Sequence, residues 1–328
     1  MMPRSVFAKI LAVNALVLVV SLIVALACGE AVLRFKNRSM KNYDIEMWRY
    51  AKELKTPSPN PLLGHEHVPS SSAVLQSVLI RIDSHGLRGP EVPLVSKAKR
   101  RVLVLGSSIT LGWGVPEEQT MTAELQRKFE ADGQSVEVLN AGIGNYNAPR
   151  YVERFLTTLA PLKPTDIVVH YFLRDAEVLE RGGGNLFLRH SELAVTLWTA
   201  FNRFLRPSGY EVLENHYRSI YTPSHPGYQE MRAALQKLGD YAKENGVRVY
   251  LAMTPDVHDL EHYRFGSIHR LMMENAAQLG FTFVDLLPAL SGAPRRELWA
   301  MSGDPHPSAL GHRKMAEALY PVLARGSP

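Results

Sequence analysis

The fold of this chain is decided by the stretch Arg101-Val102-Leu103-Val104-Leu105-Gly106-Ser107-Ser108-Ile109-Thr110-Leu111-Gly112. Its apolar run, residues 101–105, predicts a buried strand, and the glycine and two serines that follow predict a tight turn. In an open parallel sheet the functional loops gather at the carboxyl ends of the strands. Ser108 therefore stands where a catalytic side chain is expected.

A second motif, Asp304-Pro305-His306-Pro307, lies near the other end of the chain. A serine hydroxyl becomes an effective nucleophile when a neutral imidazole accepts its proton and a carboxylate fixes the tautomer of that imidazole. We therefore predict Ser108 as the nucleophile, His306 as the base and Asp304 as the orienting acid. The competing interpretation of Asp304 is a helix N-cap ahead of Pro307. The carboxylate can still reach Nδ1 of the histidine if the chain turns sharply at Pro305.

Strand-like and helix-like patterns alternate through much of the chain. The apolar runs with strand character are residues 101–105, 136–139, 167–172, 248–253 and 281–285. Between these runs, apolar side chains recur with helical periodicity, as at Met121, Leu125 and Phe129. This alternation predicts an α/β fold, a three-layer α/β/α sandwich of flavodoxin-like type with a mainly parallel sheet of about five strands.

The amino-terminal segment has a different character. No charged residue occurs from Ile10 to Gly29, and this is about the length of helix that crosses a hydrocarbon core. We predict a transmembrane helix within residues 1–36, with residues 10–29 as the membrane contact. A lipoprotein signal ending at Cys28 is the alternative, but apolar residues continue at 31–33 and favour an uncleaved helix. Basic residues on both flanks leave the orientation open.

Three parts are predicted along the chain: a membrane anchor at residues 1–36, a stalk and extension at 37–98, and a catalytic domain at 99–328. The stalk ends in a proline-dense segment, residues 56–61, which is typical of a semi-rigid connector. The stretch 180–226 interrupts the alternation of strands and helices with a glycine run and an apolar-aromatic patch. It fits either a mobile cover over a site or an ordinary packed insertion.

Composition limits the classes of function. The chain has 328 residues, a formal net charge of +5 and one cysteine, so it forms no intrachain disulfide. Its basic residues are scattered, which argues against a nucleic-acid partner. The turn after residue 105 matches neither a phosphate-binding loop nor a dinucleotide fingerprint, so no cofactor is predicted. The pairs His65/His67 and His258/His262 have metal-like spacing but no evident third ligand, so no metal site is predicted.

At these motifs the chain resembles the SGNH hydrolases, also called the GDSL esterase/lipase family, over roughly residues 99–328. The family's first block corresponds to residues 106–112 and places its nucleophile at Ser108. The second block corresponds to Asn140-Ala141-Gly142-Ile143-Gly144-Asn145 and supplies a backbone N–H to the oxyanion hole. The resemblance leaves the donor open: it is the N–H of Gly142 or Gly144, and Asn145 can contribute its backbone or its side chain.

The chain departs from the family pattern at three positions. Ser107 replaces the aspartate that precedes the nucleophile, and the last block is Asp304-x-His306 in place of Asp-x-x-His. In the third block Arg174 replaces the oxyanion-hole asparagine. Arginine also donates hydrogen bonds, so Arg174 can complete the oxyanion hole. The alternative is a structural ion pair between Arg174 and Asp175.

The resemblance implies a serine-dependent ester hydrolase or O-acyltransferase that acts on acyl groups of an extracytoplasmic glycan or lipid. The anchor and the extension are similar to those of bacterial members linked to surface polysaccharides. This similarity implies a single-pass protein of the bacterial inner membrane with its catalytic domain outside the cytoplasm. The substitutions at Ser107 and Arg174 favour the alternative, a catalytically impaired scaffold that binds polysaccharide in a surface-polymer assembly.

Overall fold

The computed structural model describes residues 4–37, 42–179, 188, 190–205, 209–301 and 304–326. Contacts divide the chain into two compact units, one formed by Tyr50–Gly183 with Ser208–Pro328 and the other by Met1–Arg49 with Gly184–Pro207. This division by contacts does not test the boundaries predicted at residues 36 and 98, which stay a prediction.

The secondary structure alternates as the sequence pattern predicts. The strands are β1 (Lys55–Pro57), β2 (His65–His67), β3 (Ser71–Leu75), β4 (Val78–Ile82), β5 (Arg100–Gly106), β6 (Val136–Gly142), β7 (Asp166–Tyr171), β8 (Arg248–Met253), β9 (Thr282–Asp285), β10 (Trp299–Met301) and β11 (Asp304–Pro307). The helices are α1 (Arg4–Asn37), α2 (Tyr43–Glu53), α3 (Ser108–Leu111), α4 (Met121–Ala131), α5 (Ala148–Arg154), α6 (Glu192–Leu205), α7 (Tyr210–Ile220), α8 (Pro226–Asn245), α9 (Gly266–Gln278), α10 (Leu287–Leu290), α11 (Arg295–Leu298) and α12 (Ala309–Ala324).

The larger unit is built on a five-stranded sheet in the order β6-β5-β7-β8-β9, and every neighbouring pair in it is parallel. Alternate side chains of β5 enter two separate cores, because successive residues of a strand point to opposite faces. Leu103 and Leu105 pack in the core that α5, α8 and α9 cover. Val102 and Val104 pack in the core that α4 and α12 cover. The predicted three-layer α/β/α fold is therefore confirmed.

The segment before β5 is part of the larger unit. Strands β3 and β4 form an antiparallel hairpin, and Arg88 bridges to Asn140 on β6, so this extension packs on the edge of the main sheet. The proline-dense segment begins inside strand β1, which pairs with β2. Tyr50 and Leu54, which precede it, are fully buried. The segment from Tyr50 to strand β1 is thus packed against the larger unit, because its apolar side chains are removed from water.

The smaller unit contains the amino-terminal helix α1. Its segment Val6–Asn37 has a mean hydropathy of 2.9 in its most apolar window, and none of that window is buried. By length and composition this helix can cross a membrane, which is compatible with a single-pass anchor or a signal sequence. Helix α6 also belongs to this unit. The glycine run at residues 182–184, part of the predicted cover, lies outside the described residues.

Candidate active site

Ser108 begins helix α3 immediately after strand β5, in a turn that depends on close packing. A Cβ added to Gly106 would lie 2.0 Å from Thr110 Oγ1, so only glycine fits there. A Cβ on Gly142, at the end of the neighbouring strand β6, would lie 2.2 Å from the backbone nitrogen of Leu111. Gly112 ends the helix in the left-handed conformation, with φ of 78°. These contacts hold the Ser108 turn against the carboxyl end of the sheet.

The structure brings Ser108, His306 and Asp304 together. Ser108 Oγ lies 2.8 Å from His306 Nε2, and His306 Nδ1 lies 2.5 Å from Asp304 Oδ1. The backbone N–H of His306 also donates to Asp304 Oδ1, at 3.1 Å. The tight turn expected at Pro305 therefore forms, and an Asp-x-His spacing is sufficient to join carboxylate and imidazole. This geometry can activate a serine hydroxyl.

The carboxylate of Asp304 is held in its ionised form by its neighbours. Only 1% of this residue is exposed, and burial by itself raises the pKa of its carboxyl group. The hydrogen bonds and charge of His306, together with the amide of Gln76, outweigh burial and hold the pKa of Asp304 below its ordinary value. An ionised Asp304 accepts the Nδ1 proton of His306 in a hydrogen bond, so Nε2 presents its lone pair to the Ser108 hydroxyl.

Two residues of the extension support this site. Gln76, at the tip of the β3–β4 hairpin, donates its amide to Asp304 Oδ2 at 3.3 Å. Arg88 is buried and donates to the carbonyl groups of Leu111, Gly112 and Val115, at 2.7 Å for the last two. Neither residue was predicted, because each lies far from the motifs in sequence and no local pattern identifies it.

The turn formed by the family's second block, residues 140–145, places its backbone N–H groups in different environments. The N–H of Gly142 donates to Asn140 Oδ1 at 3.0 Å, and the N–H of Gly144 donates to Tyr50 Oη at 3.0 Å. Asn145 is exposed and has a φ of 66°, a conformation that favours glycine or asparagine. Within the described part of the chain, the N–H of Asn145 has no hydrogen-bond acceptor. This turn therefore offers Asn145 as an available donor.

Arg174 lies in the turn after strand β7, as the family register implies. Its guanidinium forms an ion pair with Glu177, with Nε 3.1 Å from Oε2, and about half of the side chain is exposed. Asp175 is buried and accepts hydrogen bonds from the N–H of Phe172 and from Tyr151 Oη, at 3.0 and 3.2 Å. In place of the alternative ion pair between Arg174 and Asp175, the structure has hydrogen bonds on Asp175 and an ion pair between Arg174 and Glu177.

The buried carboxyl group of Asp175 predicts a pH dependence of stability. Burial raises its pKa from 3.8 to about 8, against the lowering effect of its hydrogen bonds and of Arg174. Between these values the folded state binds a proton that the unfolded state lacks, so stability falls as the pH rises from about 4 to about 8. Asp175→Asn keeps a neutral, hydrogen-bonding side chain and should remove this loss. We expect the Tm of the variant minus that of the parent to increase as the pH rises from about 4 to about 8. A difference that stays constant over this range would contradict the raised pKa of Asp175.

This arrangement is typical of serine hydrolases: a serine, a histidine and an aspartate are joined by hydrogen bonds at the carboxyl edge of a parallel α/β sheet. Residues 104–314 match the model of the GDSL-like lipase/acylhydrolase family. The chain belongs to this family and is an ester-hydrolysing enzyme. The predicted membership of this family is confirmed.

Several solved structures are similar to the chain. An acetylxylan esterase of Geobacillus stearothermophilus, Axe2, in a catalytic mutant, is 16% identical over 70% of this chain and 96% of its own, with a TM-score of 0.46. The psychrotrophic esterase EstA of Pseudoalteromonas sp. is 14% identical over 69% and 98%, with a TM-score of 0.44. TesA is 18% identical over 69% and 99%, with a TM-score of 0.46. No curated protein matches the chain.

Proposed function

We propose that the ester bond is cleaved by Ser108, His306 and Asp304. Ser108 Oγ attacks the ester carbonyl as His306 Nε2 takes its proton, and the imidazolium then donates that proton to the departing alcohol. Asp304 keeps His306 in the required tautomer and stabilises its charged form. The observation that carries this proposal is the chain of short contacts, 2.8 Å from serine to histidine and 2.5 Å from histidine to aspartate.

The developing oxyanion requires donors near Ser108. The N–H of Ser108 opens helix α3 and therefore has no acceptor within the helix. We propose this N–H, the N–H of Asn145 and the guanidinium of Arg174 as the oxyanion hole. Gly142 and Gly144, the donors predicted from the resemblance, then contribute close packing and the shape of the turn, since their N–H groups already donate within the fold.

Arg174 provides a direct test of this oxyanion hole. If its guanidinium contacts the oxyanion, Arg174→Ala should lower kcat by about 10²-fold and leave KM nearly unchanged, because the contact forms mainly in the transition state. Arg174→Asn restores the family's donor and should recover most of this loss. The exposed pair with Glu177 contributes little to stability, so the Tm of either variant should stay close to that of the parent.

Glu177→Gln is the matched control for Arg174. It removes the charge that pairs with the guanidinium but leaves the proposed donor in place, so kcat should be preserved. The kinetics are measured with an aryl acetate and the Tm by calorimetry. A lower Tm for Arg174→Ala without a loss of kcat would show a structural role and contradict the proposed donor.

The substrate is proposed to be an acylated glycan or lipid outside the cytoplasm of a bacterium. The apolar helix α1 supports this location, since it can tether the larger unit to the inner membrane. Hydrolysis and O-acyl transfer differ only in whether water or a sugar hydroxyl reaches the acyl-enzyme. The substitutions at Ser107 and Arg174 remain the observation in favour of an impaired polysaccharide-binding scaffold.

The location can be tested with reporter fusions in a bacterial host. Alkaline phosphatase fused to the carboxyl end of the full chain should be active, because this reporter requires export for its activity. The chain should remain in the membrane fraction, and deletion of residues 1–36 should release it. An inactive phosphatase together with an active cytoplasmic reporter at the same position would place the catalytic unit inside the cell.

A further inference from the structure

A second Asp-x-His turn lies on the loop after strand β8. The backbone N–H of His258 donates to Asp256 Oδ1 at 3.0 Å, and His258 Nδ1 lies 2.8 Å from the same oxygen. Asp304 and His306 have the same two contacts, at 3.1 and 2.5 Å. Asp256 is buried, whereas one third of the His258 side chain is exposed. The chain therefore carries two carboxylate–imidazole pairs of one design.

The second pair is connected by contacts to the strand of His306 and to the partner of Arg174. Trp299, which pairs with Pro307 on the strand that carries His306, donates its indole N–H to Val257 O at 2.9 Å. Its ring meets that of His258 edge-on, with centroids 5.8 Å apart. Tyr210, whose ring lies 6.4 Å from that of His258, belongs to helix α7, and His216 of this helix contacts Glu177, the partner of Arg174, at 3.0 Å. The loop after β8 thus places this pair beside the triad, at the same edge of the sheet.

One nitrogen of His258 is available to a ligand. Because Nδ1 donates to the Asp256 carboxylate, Nε2 is an acceptor in the neutral ring. The Nε2 of His306 meets Ser108 Oγ, and the Nε2 of His269 meets Tyr263 Oη at 2.7 Å. Over the ranges that the structure describes, the Nε2 of His258 has no hydrogen-bond partner.

Aromatic side chains flank this available acceptor. The ring of Tyr210 lies 6.4 Å from that of His258 in a tilted arrangement, whereas the ring of Trp299 meets His258 edge-on. The Tyr210 hydroxyl is buried and has no hydrogen-bond partner within the described residues. A hydrogen-bond acceptor set among aromatic rings suits a ligand that carries both C–H surface and hydroxyl groups.

We propose that Asp256 and His258, flanked by Tyr210 and Trp299, bind a hydroxyl group of the carbohydrate part of the ester. The Nε2 of His258 accepts the hydroxyl proton in a hydrogen bond, and Asp256 positions the imidazole. No bond is made or broken at His258, which is a binding residue. The inference rests on the proposed function of the Ser108 site and adds the class of group that the substrate presents beside it.

The test compares two esters in the full-length protein. For His258→Ala, kcat/KM for a monoacetylated methyl glycoside should fall about tenfold through KM, the size expected for one lost hydrogen bond. The kcat/KM for 4-nitrophenyl acetate should not change, since this ester has no hydroxyl group to bind. His262→Ala is the matched control on the same loop, because His262 is exposed and pairs with Asp259, and it should leave both esters unaffected.

Two results would overturn the subsite: an equal loss for both esters in His258→Ala, or no loss for either. If the parent cleaves neither ester, the proposed function of Ser108 has failed, and the subsite is then judged by binding alone. Calorimetry with the unacetylated methyl glycoside should show binding to the parent and weaker binding to His258→Ala. Equal binding to the two proteins, or none to the parent, would overturn it.

A separate observation concerns helix α6 in the smaller unit. Its exposed apolar side chains recur at i, i+1, i+4, i+7 and i+8, so they form one face of the helix. They are Leu197 60%, Trp198 51%, Phe201 63%, Phe204 87% and Leu205 59% exposed. Side chains of this size rarely form a contiguous exposed face without a partner.

Contacts within the same unit connect α6 to the predicted membrane helix. The carboxylate of Glu30 on α1 accepts hydrogen bonds from the N–H groups of Glu192 and Leu193, at 3.1 and 2.9 Å, and so caps α6. Glu30 is the first charged residue after the apolar run 10–29. Near its other end, α6 pairs through Arg203 with Asp44, at 2.8 Å. Helix α6 therefore begins at the level where the apolar run of α1 ends.

We infer that the apolar face of α6 rests in the surface of the bilayer that α1 crosses. We assign the lipid interface as the partner of this face, because α6 begins beside the end of the apolar run of α1, a helix long enough to span the membrane. Trp198 and the phenylalanines are the residue types that such interfaces favour. The inference rests on the proposed anchoring by α1 and adds a second membrane contact.

Fluorescence quenching by brominated lipids tests this contact in the full-length protein in liposomes. Quenching of tryptophan emission should be present in the parent and largely lost in Trp198→Phe. Trp299→Phe, a change in the larger unit, should retain it. Equal quenching in the parent and in Trp198→Phe would overturn the inference. A chain that does not join the liposomes at all would contradict the anchoring by α1, and α6 with it.

Discussion

Ser108→Ala should lower kcat for an aryl acetate by about 10⁶-fold while leaving the Tm close to that of the parent. The substitution removes the oxygen that forms the acyl-enzyme, and no other group in the site replaces it. Ser108 Oγ makes its hydrogen bond to His306 at a partly exposed position, so its loss costs the fold little. Residual hydrolysis would come from the remaining oxyanion donors and from binding alone.

Ser107→Ala is the matched control for Ser108. Ser107 is the neighbouring residue and the N-cap of helix α3, but its side chain makes no capping hydrogen bond. We therefore expect nearly full activity in this variant. If Ser107→Ala and Ser108→Ala lose activity equally, the substitutions act on the turn as a whole and the assignment of a single nucleophile is wrong. Retained activity in Ser108→Ala would also contradict it.

Asp304→Asn should lower kcat by about 10⁴-fold with little change in KM. The amide cannot accept the Nδ1 proton as an ionised carboxylate does, so His306 adopts the tautomer that presents a proton to Ser108. Burial raises the pKa of the Asp304 carboxyl, but the contacts with His306 and Gln76 outweigh it, so the carboxylate of the parent is ionised across the neutral range. The loss should therefore be present throughout the neutral range, as a pH profile of kcat would show.

Asp256→Asn is the matched control for Asp304, because its carboxylate contacts His258 in the same Asp-x-His geometry. It should leave the hydrolysis of an aryl acetate unchanged. Equal losses in both variants would mean that the two pairs share the catalytic role. A loss in Asp256→Asn alone would move the base from His306 to His258 and contradict the proposed triad.

The fold could be predicted from the sequence because each central strand is buried on both faces. Such strands appear as continuous apolar runs, and the predicted run 101–105 lies within strand β5, Arg100–Gly106. The serine turn and the Asp-x-His motif could also be recognised from the sequence, because each is a short run of neighbouring residues. Their convergence follows from the parallel sheet, which brings all its loops to one edge.

The supporting residues could not be predicted in this way. Gln76 reaches Asp304 from a hairpin tip, and Arg88 holds the Ser108 helix from an irregular segment, so neither belongs to a periodic pattern. Arg174 has a long side chain with several possible acceptors, and only the positions of Glu177 and Asp175 decide between them. The sequence showed His258 only in a metal-like spacing with His262, because its contact with Asp256 and its place beside Trp299 depend on the fold.

Covalent labelling by a fluorophosphonate tests the central claim most directly. The reagent reacts with a serine that an adjacent histidine activates, and mass spectrometry of the digested protein locates the adduct. We expect a single adduct on Ser108 in the parent, strongly reduced in His306→Ala and unchanged in His258→Ala. Absence of an adduct on Ser108, or equal labelling in the parent and His306→Ala, would contradict the triad and favour the scaffold.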